Sequence, residues 1–273
     1  MSDSPTRVQR RRQATLADIV LAGRTLLRTG CDVSISAVAG HLGVTPPALY
    51  RYVPSLTGLL ELVTQAIMTD VIQRMTNAAD RQEDPAARLI AAATAFRQWA
   101  LNNPHEFRLA FSPRDPLAHI PKPDDPQSAV ERSSALFLRF FQAVGGSYPM
   151  RCPDEDEVPP TYFSVAERLS ERRGRPEEDS AHDSIAGVWQ FERVWLKFIG
   201  VICCEVFGFV PPELVVSGDL FVLTCIEIGR DLGLAEEFDR LLAIAVETAQ
   251  WTDDVDGVDP LHVTAAKLRT DGA

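Results

Sequence analysis

The sequence has no long hydrophobic run, and this absence argues against a membrane-spanning segment. Hydrophobic residues make up 45% of the 273 positions, yet no stretch approaches the ~20 uninterrupted apolar residues that a transmembrane helix needs. The N-terminus is polar and basic and lacks the apolar core of a signal peptide. We therefore expect a cytoplasmic protein that makes no membrane contact.

Cysteine is scarce, and its spacing fits neither disulfides nor zinc. Five cysteines stand at positions 31, 152, 203, 204 and 225, an odd number without a Cys-x-x-Cys pair. The sequence also lacks a Gly-rich phosphate loop, a His-Glu-x-x-His pair and any spacing typical of Ser/His/Asp or Cys/His catalysis. We therefore expect no metal, no cofactor and no enzymatic activity.

Positive charge is in deficit overall but concentrated at the N-terminus. The chain carries 27 Lys and Arg against 38 Asp and Glu, yet residues 1–60 hold seven arginines and only three acids. This asymmetry favours attraction of phosphates at one end of the chain. Residues 1–13, with Arg10, Arg11 and Arg12, show no apolar periodicity and predict a mobile basic arm. The arm is either a solvated tail or a contact to phosphates or the minor groove.

A first helix is predicted from Thr15, which has capping-box spacing with Asp18, to about residue 29. A second helix follows within the segment SISAVAGHLGVTPPALYRYV, residues 34–53. Its apolar face at helical spacing is formed by Ile35, Val38, Ala39 and Leu42. Ser34 precedes that face, where its hydroxyl can accept a backbone N–H bond. Gly43 follows, where the chain needs a residue that tolerates positive φ.

A third helix is predicted to begin at Thr45, whose hydroxyl can cap it. Pro46 and Pro47 suit the first helical positions because the missing N–H costs nothing there. Tyr50 and Arg51 are left to point outward. This pair of helices is typical of a helix-turn-helix, whose second helix enters the DNA major groove. A helical hairpin in some other all-α protein is the alternative.

The run IVLAGRTLLRTG, followed by SISAVAGHLGVTPPALYRYVPSLTGLL, resembles the N-terminal domain of TetR-family transcriptional regulators over roughly residues 16–65. The matching features are Val38-Ala39, Leu42-Gly43-Val44, Leu49-Tyr50 and Pro54-Ser55. The resemblance implies an all-α fold with a three-helix head and a helical-bundle body that binds a ligand and dimerises. Two positions depart from the family. Tyr52-Val53 replaces the usual His-Phe, and Leu56 replaces a lysine that contacts phosphate.

The expected DNA contacts follow from side-chain chemistry. Tyr50 offers a hydroxyl and a flat ring that suit phosphate and sugar, and Arg51 can make a bidentate contact with guanine. The helices begun by Ser34 and Thr45 present N–H groups that suit phosphate oxygens. Tyr52 fits either a DNA contact or the core. The full expected set is Arg10, Arg11, Arg12, Ser34, Thr45, Pro46, Pro47, Tyr50, Arg51 and Tyr52, in which the prolines can touch a thymine methyl.

The body is expected to dimerise. We place the DNA-binding domain with its basic arm at 1–60, a helical ligand-binding and dimerisation domain at 61–251, and a polar tail at 252–273. The segments FRQWALNNPHEFRLAF and WLKFIGVICCEVFG resemble a TetR subgroup. Two successive apolar helices at 185–208 and 213–232 would form a four-helix bundle with a second copy. A homodimer fits a palindromic operator, because one short module reads one half-site.

Aromatic residues on successive helices of the body predict an apolar pocket. The expected lining residues are Phe96, Trp99, His105, Phe107, Phe111, Phe140, Phe141, Trp189 and Trp195, each of which has a packed core position as its alternative. The leading hypothesis is a homodimeric repressor that a small apolar or amphipathic molecule releases from double-stranded DNA. Two other possibilities stay open: a transcriptional activator, and an all-α small-molecule-binding protein or enzyme with a degraded DNA-binding head.

Overall fold

The computed structural model describes residues 6–111, 129–163 and 185–256, and its regular elements are all helical. The α-helices with defined bounds are α1 (Arg7–Arg28), α2 (Ile35–His41), α3 (Pro46–Tyr50), α4 (Leu56–Ala79), α5 (Pro85–Asn102), α6 (Pro104–Phe111), α7 (Ala129–Gly145), α8 (Ile185–Val206), α9 (Pro212–Ser217), α10 (Asp219–Asp231) and α11 (Phe238–Asp256). Two 3₁₀ turns lie at Glu155–Glu157 and Ala235–Glu237. The predicted all-α fold class is confirmed. None of the described helices is long and apolar enough to span a bilayer.

The chain divides into two compact units, and the division falls within α4. The N-terminal unit comprises Met1–Val71 and Asn103–Arg114, and the C-terminal unit comprises Ile72–Asn102 and Asp115–Ala273. The N-terminal unit therefore contains α6 as well as α1 to α3 and most of α4. The boundary expected from sequence, at residue 60, lies near the start of α4. Residues 257–273 of the expected tail lie outside the described part of the chain.

The first helix begins one residue after Thr6, so the predicted start at Thr15 is wrong. Thr6 and Gln9 form a reciprocal capping box, in which the Gln9 amide donates to Thr6 Oγ1 at 3.3 Å and the Thr6 amide donates to Gln9 Oε1 at 2.7 Å. Thr15 instead donates its hydroxyl to the carbonyl of Arg11 at 3.1 Å. Residues 7–13 are therefore helical rather than an irregular arm.

The core of the N-terminal unit forms where α1, α2, α3 and α4 turn apolar faces toward one another. Its fully buried side chains include Ile19, Ala22, Val38, Ala39, Leu49, Leu59, Val63, Ile67 and Phe107. Gly23 allows α1 to come close to α4, since a Cβ at this position would lie 2.8 Å from Cγ2 of Val63. The short helix α3 is thus anchored on a packed core through Leu49.

The C-terminal unit is organised around α5, an alanine-rich helix with most of its residues buried. Small side chains at Ala91 and Ala95 let α11 approach, and Ile244 and Trp251 pack against them. On another side, the ring of Phe96 lies 6.1 Å from that of Phe137 of α7 and 5.8 Å from that of Phe198 of α8. Helix α5 is therefore the central element against which α7, α8 and α11 pack.

The helix predicted over 213–232 is not continuous. Gly218 adopts a left-handed conformation, with φ of 70°, and separates α9 from α10. Arg97 fixes this break, because its Nη2 donates to the carbonyl of Val215 at 2.9 Å, in the last turn of α9. The prediction overlooked Gly218, which ends the first segment as glycine commonly does at a helix C-terminus.

Candidate nucleic-acid interface and ligand cavity

The helix-turn-helix predicted at residues 34–53 is present. Ser34 accepts a hydrogen bond from the Ala37 amide on Oγ at 3.1 Å, as the cap of α2. Gly43 has φ of 66° in the turn that follows, and the Val44 amide returns to the Ala39 carbonyl at 2.9 Å. Thr45 occupies the N-cap position of α3 but makes no side-chain capping bond, so that detail of the prediction is wrong.

The outer face of α3 is exposed and its inner face is anchored. Leu49 and Val53 are buried, with 2% and 3% of their surface exposed. Tyr50 is 49% exposed and Arg51 is exposed beside it. Thr45, Pro46 and Pro47 are also exposed, whereas Tyr52 is half-buried. The predicted residues from Thr45 to Tyr52 therefore lie together at and beside α3. That they contact DNA stays a prediction.

Four arginines occupy the first two turns of α1. Arg7, Arg10, Arg11 and Arg12 are exposed, and within the described residues none of them forms an ion pair. The first turn carries no acid. Positive charge at a helix N-terminus opposes the macrodipole, whose positive end lies there. This end of α1 is therefore an electrostatically unbalanced site that an anion would stabilise.

An ion cluster centred on the buried Glu106 joins α1, α4 and α6 within the N-terminal unit. Arg24 donates to both carboxylate oxygens of Glu106, at 2.9 and 3.0 Å, and also to Asp70. Arg28 lies 3.5 Å from Glu106. Burial acts to lower the pKa of Arg24, but the hydrogen bonds that Arg24 donates to Glu106 and Asp70 outweigh it and leave that pKa raised. Glu106 was not anticipated from the sequence.

The C-terminal unit contains an apolar cavity of about 330 Å³, at the low end of the ~300–1,000 Å³ range of small-molecule sites. Its walls come from α5, α7, α8, α10, α11 and the turn before α11. The lining residues include Leu89, Ile90, Ala93, Phe137, Phe191, Trp195, Phe198, Phe221, Cys225, Arg230, Phe238 and Leu241. Burial raises the pKa of the Cys225 thiol to about 12, so this side chain behaves as a neutral, largely apolar group.

The nine residues predicted to line a ligand site do not converge on this cavity. Trp195 is the member of that set that lines it. Phe96, Trp99 and Phe141 are buried in the C-terminal unit, while His105, Phe107 and Phe111 belong to the N-terminal unit. The ring of Phe140 lies 5.9 Å from the Arg88 guanidinium carbon, and the ring of Trp189 lies 4.7 Å from that of Tyr162. Ligand contact by these residues stays a prediction.

The sequence did carry a signal for the cavity. Phe191, Val194, Trp195 and Phe198 repeat at three- and four-residue spacing on α8, as do Phe221, Cys225 and Ile228 on α10 and Phe238, Leu241 and Ala245 on α11. Each set forms one face of a helix. What the spacing cannot reveal is that these faces leave a space between them instead of filling it.

A second buried ion pair lies in the C-terminal unit. Arg97 Nε and Nη2 donate to the two carboxylate oxygens of Glu205 at 2.8 and 2.9 Å, and both side chains are at most 5% exposed. The guanidinium carbon of Arg97 also lies 5.0 Å from the centre of the Phe221 ring. Phe221 lines the cavity, so this ion pair supports one wall of it.

Known proteins resemble the chain over most of its length. The sequence model described as "Tetracyclin repressor-like, C-terminal domain" matches residues 89–222. The HTH-type transcriptional regulator Rv1816 of Mycobacterium tuberculosis is 29% identical over 205 residues, which cover 72% of this chain and 82% of that protein. The HTH-type transcriptional regulator Mb1846 of Mycobacterium bovis has the same identity and coverage. The match to the sequence model lies within α5 to α10, and the relatives are regulators named for a helix-turn-helix.

Proposed function

We propose that the chain is a homodimeric repressor of the TetR family of transcriptional regulators, to which its C-terminal match and its 29% identical relatives are similar. It binds a palindromic operator in double-stranded DNA through its helix-turn-helix, and a small apolar or amphipathic molecule releases it. It acts in the cytoplasm, where it has access to genomic DNA. The tetracyclin repressor-like match and the exposed α3 face are the two starting points for this proposal.

The observation that carries the proposal is the distribution of positive charge on the N-terminal unit. Arg51 is exposed next to Tyr50 on α3, and three consecutive arginines, Arg10 to Arg12, are exposed on α1. None of these arginines has an ion-pair partner among the described residues. Phosphates supply sequence-independent attraction to such cations, and base edges supply specificity. We assign the first role to the α1 arginines and the second to Arg51.

The dimer is supported by exposed apolar side chains on α8, α10 and the segment between them. The large examples are Leu196, Phe209, Leu214, Val216 and Leu223, whose exposed fractions run from 37% to 79%. Large apolar side chains exposed on successive segments are unfavourable in water and favour an interaction site. A second copy is the natural occupant, since two heads related by a two-fold axis match the two half-sites of a palindrome.

Release by a small molecule is supported by the cavity of the C-terminal unit. A cavity of about 330 Å³ in an otherwise close-packed helical unit leaves lining side chains without contacts on one side. A ligand that fills it gains those contacts. A ligand shifts a conformational equilibrium only by its differential affinity for the two states. We therefore propose that the ligand binds the cavity more tightly in the conformation of the protein that does not bind the operator.

One observation favours a second candidate, a small-molecule-binding protein whose DNA-binding head has degraded. Leu56 begins α4, is 45% exposed, and stands where the family resemblance implies a phosphate-binding lysine. An exposed leucine at this position supplies no electrostatic attraction. The leading proposal requires the α1 arginines to compensate for this loss, and the second candidate predicts that they do not.

Selection of genomic DNA fragments on the purified full-length protein separates these candidates. The repressor proposal predicts enrichment of a palindromic site at moderate salt. Half-sites should lie about 34–36 Å apart or at a multiple of that distance. The matched control is Arg139→Ala, which removes an exposed arginine of the C-terminal unit. Equal recovery of all fragments by the wild-type protein would refute operator recognition and favour the second candidate.

A further inference from the structure

The wall of the cavity in the C-terminal unit holds a single charge. Among the described residues that line it, Arg230 is the one with a charged side chain. Apart from Cys225, the other lining residues are apolar or glycine. Arg230 lies in the last turn of α10. The ring-bearing walls on α8 and α10, with Trp195, Phe198 and Phe221, form the apolar remainder. The wall of the cavity therefore combines one cationic side chain with an otherwise apolar surface.

No carboxylate of the described chain neutralises Arg230. It is exposed at the edge of the wall and forms no ion pair with any described residue. Asp231, the next residue, is engaged by Lys197, whose Nζ lies 2.8 Å from Oδ2. Glu227, one turn earlier on α10, is exposed and makes no ion pair with Arg230. The guanidinium therefore keeps its binding capacity for an anion from outside the chain.

We propose that this cavity binds a small molecule with an apolar chain and a single carboxylate, and that Arg230 holds the carboxylate. The proposal rests on the function proposed above and specifies the ligand class for the same cavity. The planar guanidinium matches a carboxylate bidentately, which gives both affinity and orientation. The chain lies against the aromatic walls, where burial of apolar surface adds affinity.

The balance of charges favours a single carboxylate over two other ligand classes. A neutral apolar ligand offers the exposed Arg230 guanidinium no acceptor, so it gains no charge-assisted hydrogen bond from this residue. A multiply charged head such as a phosphate monoester would bring more negative charge than one cation balances. The volume of the cavity sets a further limit, because about 330 Å³ accommodates a small ligand and not a large ring system.

The test is isothermal titration calorimetry of the full-length protein with two ligand series. One series contains straight-chain carboxylates, and the other contains the primary alcohols of matched length. The variants are Arg230→Gln and, as the matched control, Arg139→Gln, which alters an exposed arginine of α7 outside the cavity wall. Thermal unfolding of each variant verifies that the fold is retained.

The wild-type protein should bind the best carboxylate at least about tenfold more tightly than the matched alcohol, as a charge-assisted hydrogen bond requires. Arg230→Gln should abolish this preference while retaining alcohol binding, and Arg139→Gln should keep the preference. Equal affinities for acid and alcohol in the wild type, a preference that survives in Arg230→Gln, or no binding of any carboxylate would each overturn the proposal.

Failure of the ligand assignment is distinguishable from failure of the proposed function. The same preparations are titrated with the DNA fragment enriched by genomic selection. Specific DNA binding without carboxylate binding refutes only the ligand class. Carboxylate binding without specific DNA binding refutes the repressor and supports a small-molecule-binding protein.

Discussion

Arg24 and Glu106 form a two-bond ion pair that ties α6 to α1. Arg24 Nε donates to Glu106 Oε1 at 2.9 Å and Nη2 donates to Oε2 at 3.0 Å. The Glu106 side chain is 1% exposed and that of Arg24 is 14% exposed. Through its remaining nitrogen, Arg24 also bonds Asp70 of α4. One guanidinium therefore connects three helices of the unit that carries the helix-turn-helix.

We predict that Arg24→Ala destabilises the N-terminal unit by about 3–5 kcal/mol, because Glu106 would remain buried with only the longer contact to Arg28. The measurement is amide hydrogen exchange of α1 and α6, in which protection should fall. Arg11→Ala removes an exposed arginine of the same helix and should change stability by less than about 0.5 kcal/mol. Equal effects of both changes would show that the Arg24–Glu106 pair contributes nothing specific.

Replacing Arg10, Arg11 and Arg12 with alanine should weaken DNA binding without altering sequence preference. Each lost phosphate contact reduces the slope of log affinity against log salt by about 0.9. Fluorescence anisotropy over a range of KCl concentrations measures this slope. The control replaces Arg139, Arg151 and Arg193, which are exposed in the C-terminal unit. An unchanged slope in the α1 variant would show that these arginines do not touch phosphates.

The proposed dimer surface gives a prediction about association state. Leu196→Asp combined with Leu223→Asp should convert a dimer to a monomer, because each introduces a charge into an apolar interface. Sedimentation velocity measures the outcome. Leu21→Asp places the same charge on α1 at a leucine that is 63% exposed, and should leave the dimer intact. A dimer that survives the double change uses another surface.

The Arg97–Glu205 pair predicts a non-additive pair of substitutions. Arg97→Met alone leaves a buried carboxylate unpaired and should cost about 3–5 kcal/mol. Adding Glu205→Leu should restore part of that loss, because no charge then remains buried. Urea unfolding followed by tryptophan fluorescence is suitable, since all four tryptophans belong to the C-terminal unit. Additive losses would contradict the coupling.

Local features of the N-terminal unit could be predicted because they depend on short-range rules. Ser34 caps α2, Gly43 adopts positive φ and Pro46 begins α3, as their positions along the chain imply. The start of α1 was missed because two pairs of residues have the spacing of a capping box, and the sequence alone does not show which pair begins the helix. The Thr6–Gln9 box lies earlier than the Thr15–Asp18 spacing, and the arginines between them were interpreted as an arm.

Long-range relationships could not be predicted from spacing. Nothing in the sequence near Glu106 indicates that Arg24, 82 residues earlier, is its partner. The same holds for Arg97 and Glu205, which are 108 residues apart. Aromatic content indicated a cavity, but aromatic residues fill cores as readily as they line cavities. Which of the two a given ring does depends on how several helices pack, as the difference between Phe96 and Phe198 shows.

The most direct test of the account is titration of the selected operator duplex with wild-type protein and with the Tyr50→Ala/Arg51→Ala variant. Both side chains are exposed on or next to α3, so their loss should leave far-UV circular dichroism unchanged. The account predicts specific binding by the wild type and none above the non-specific level by the variant. Equal operator affinity for both proteins would contradict the claim that this face of α3 reads DNA.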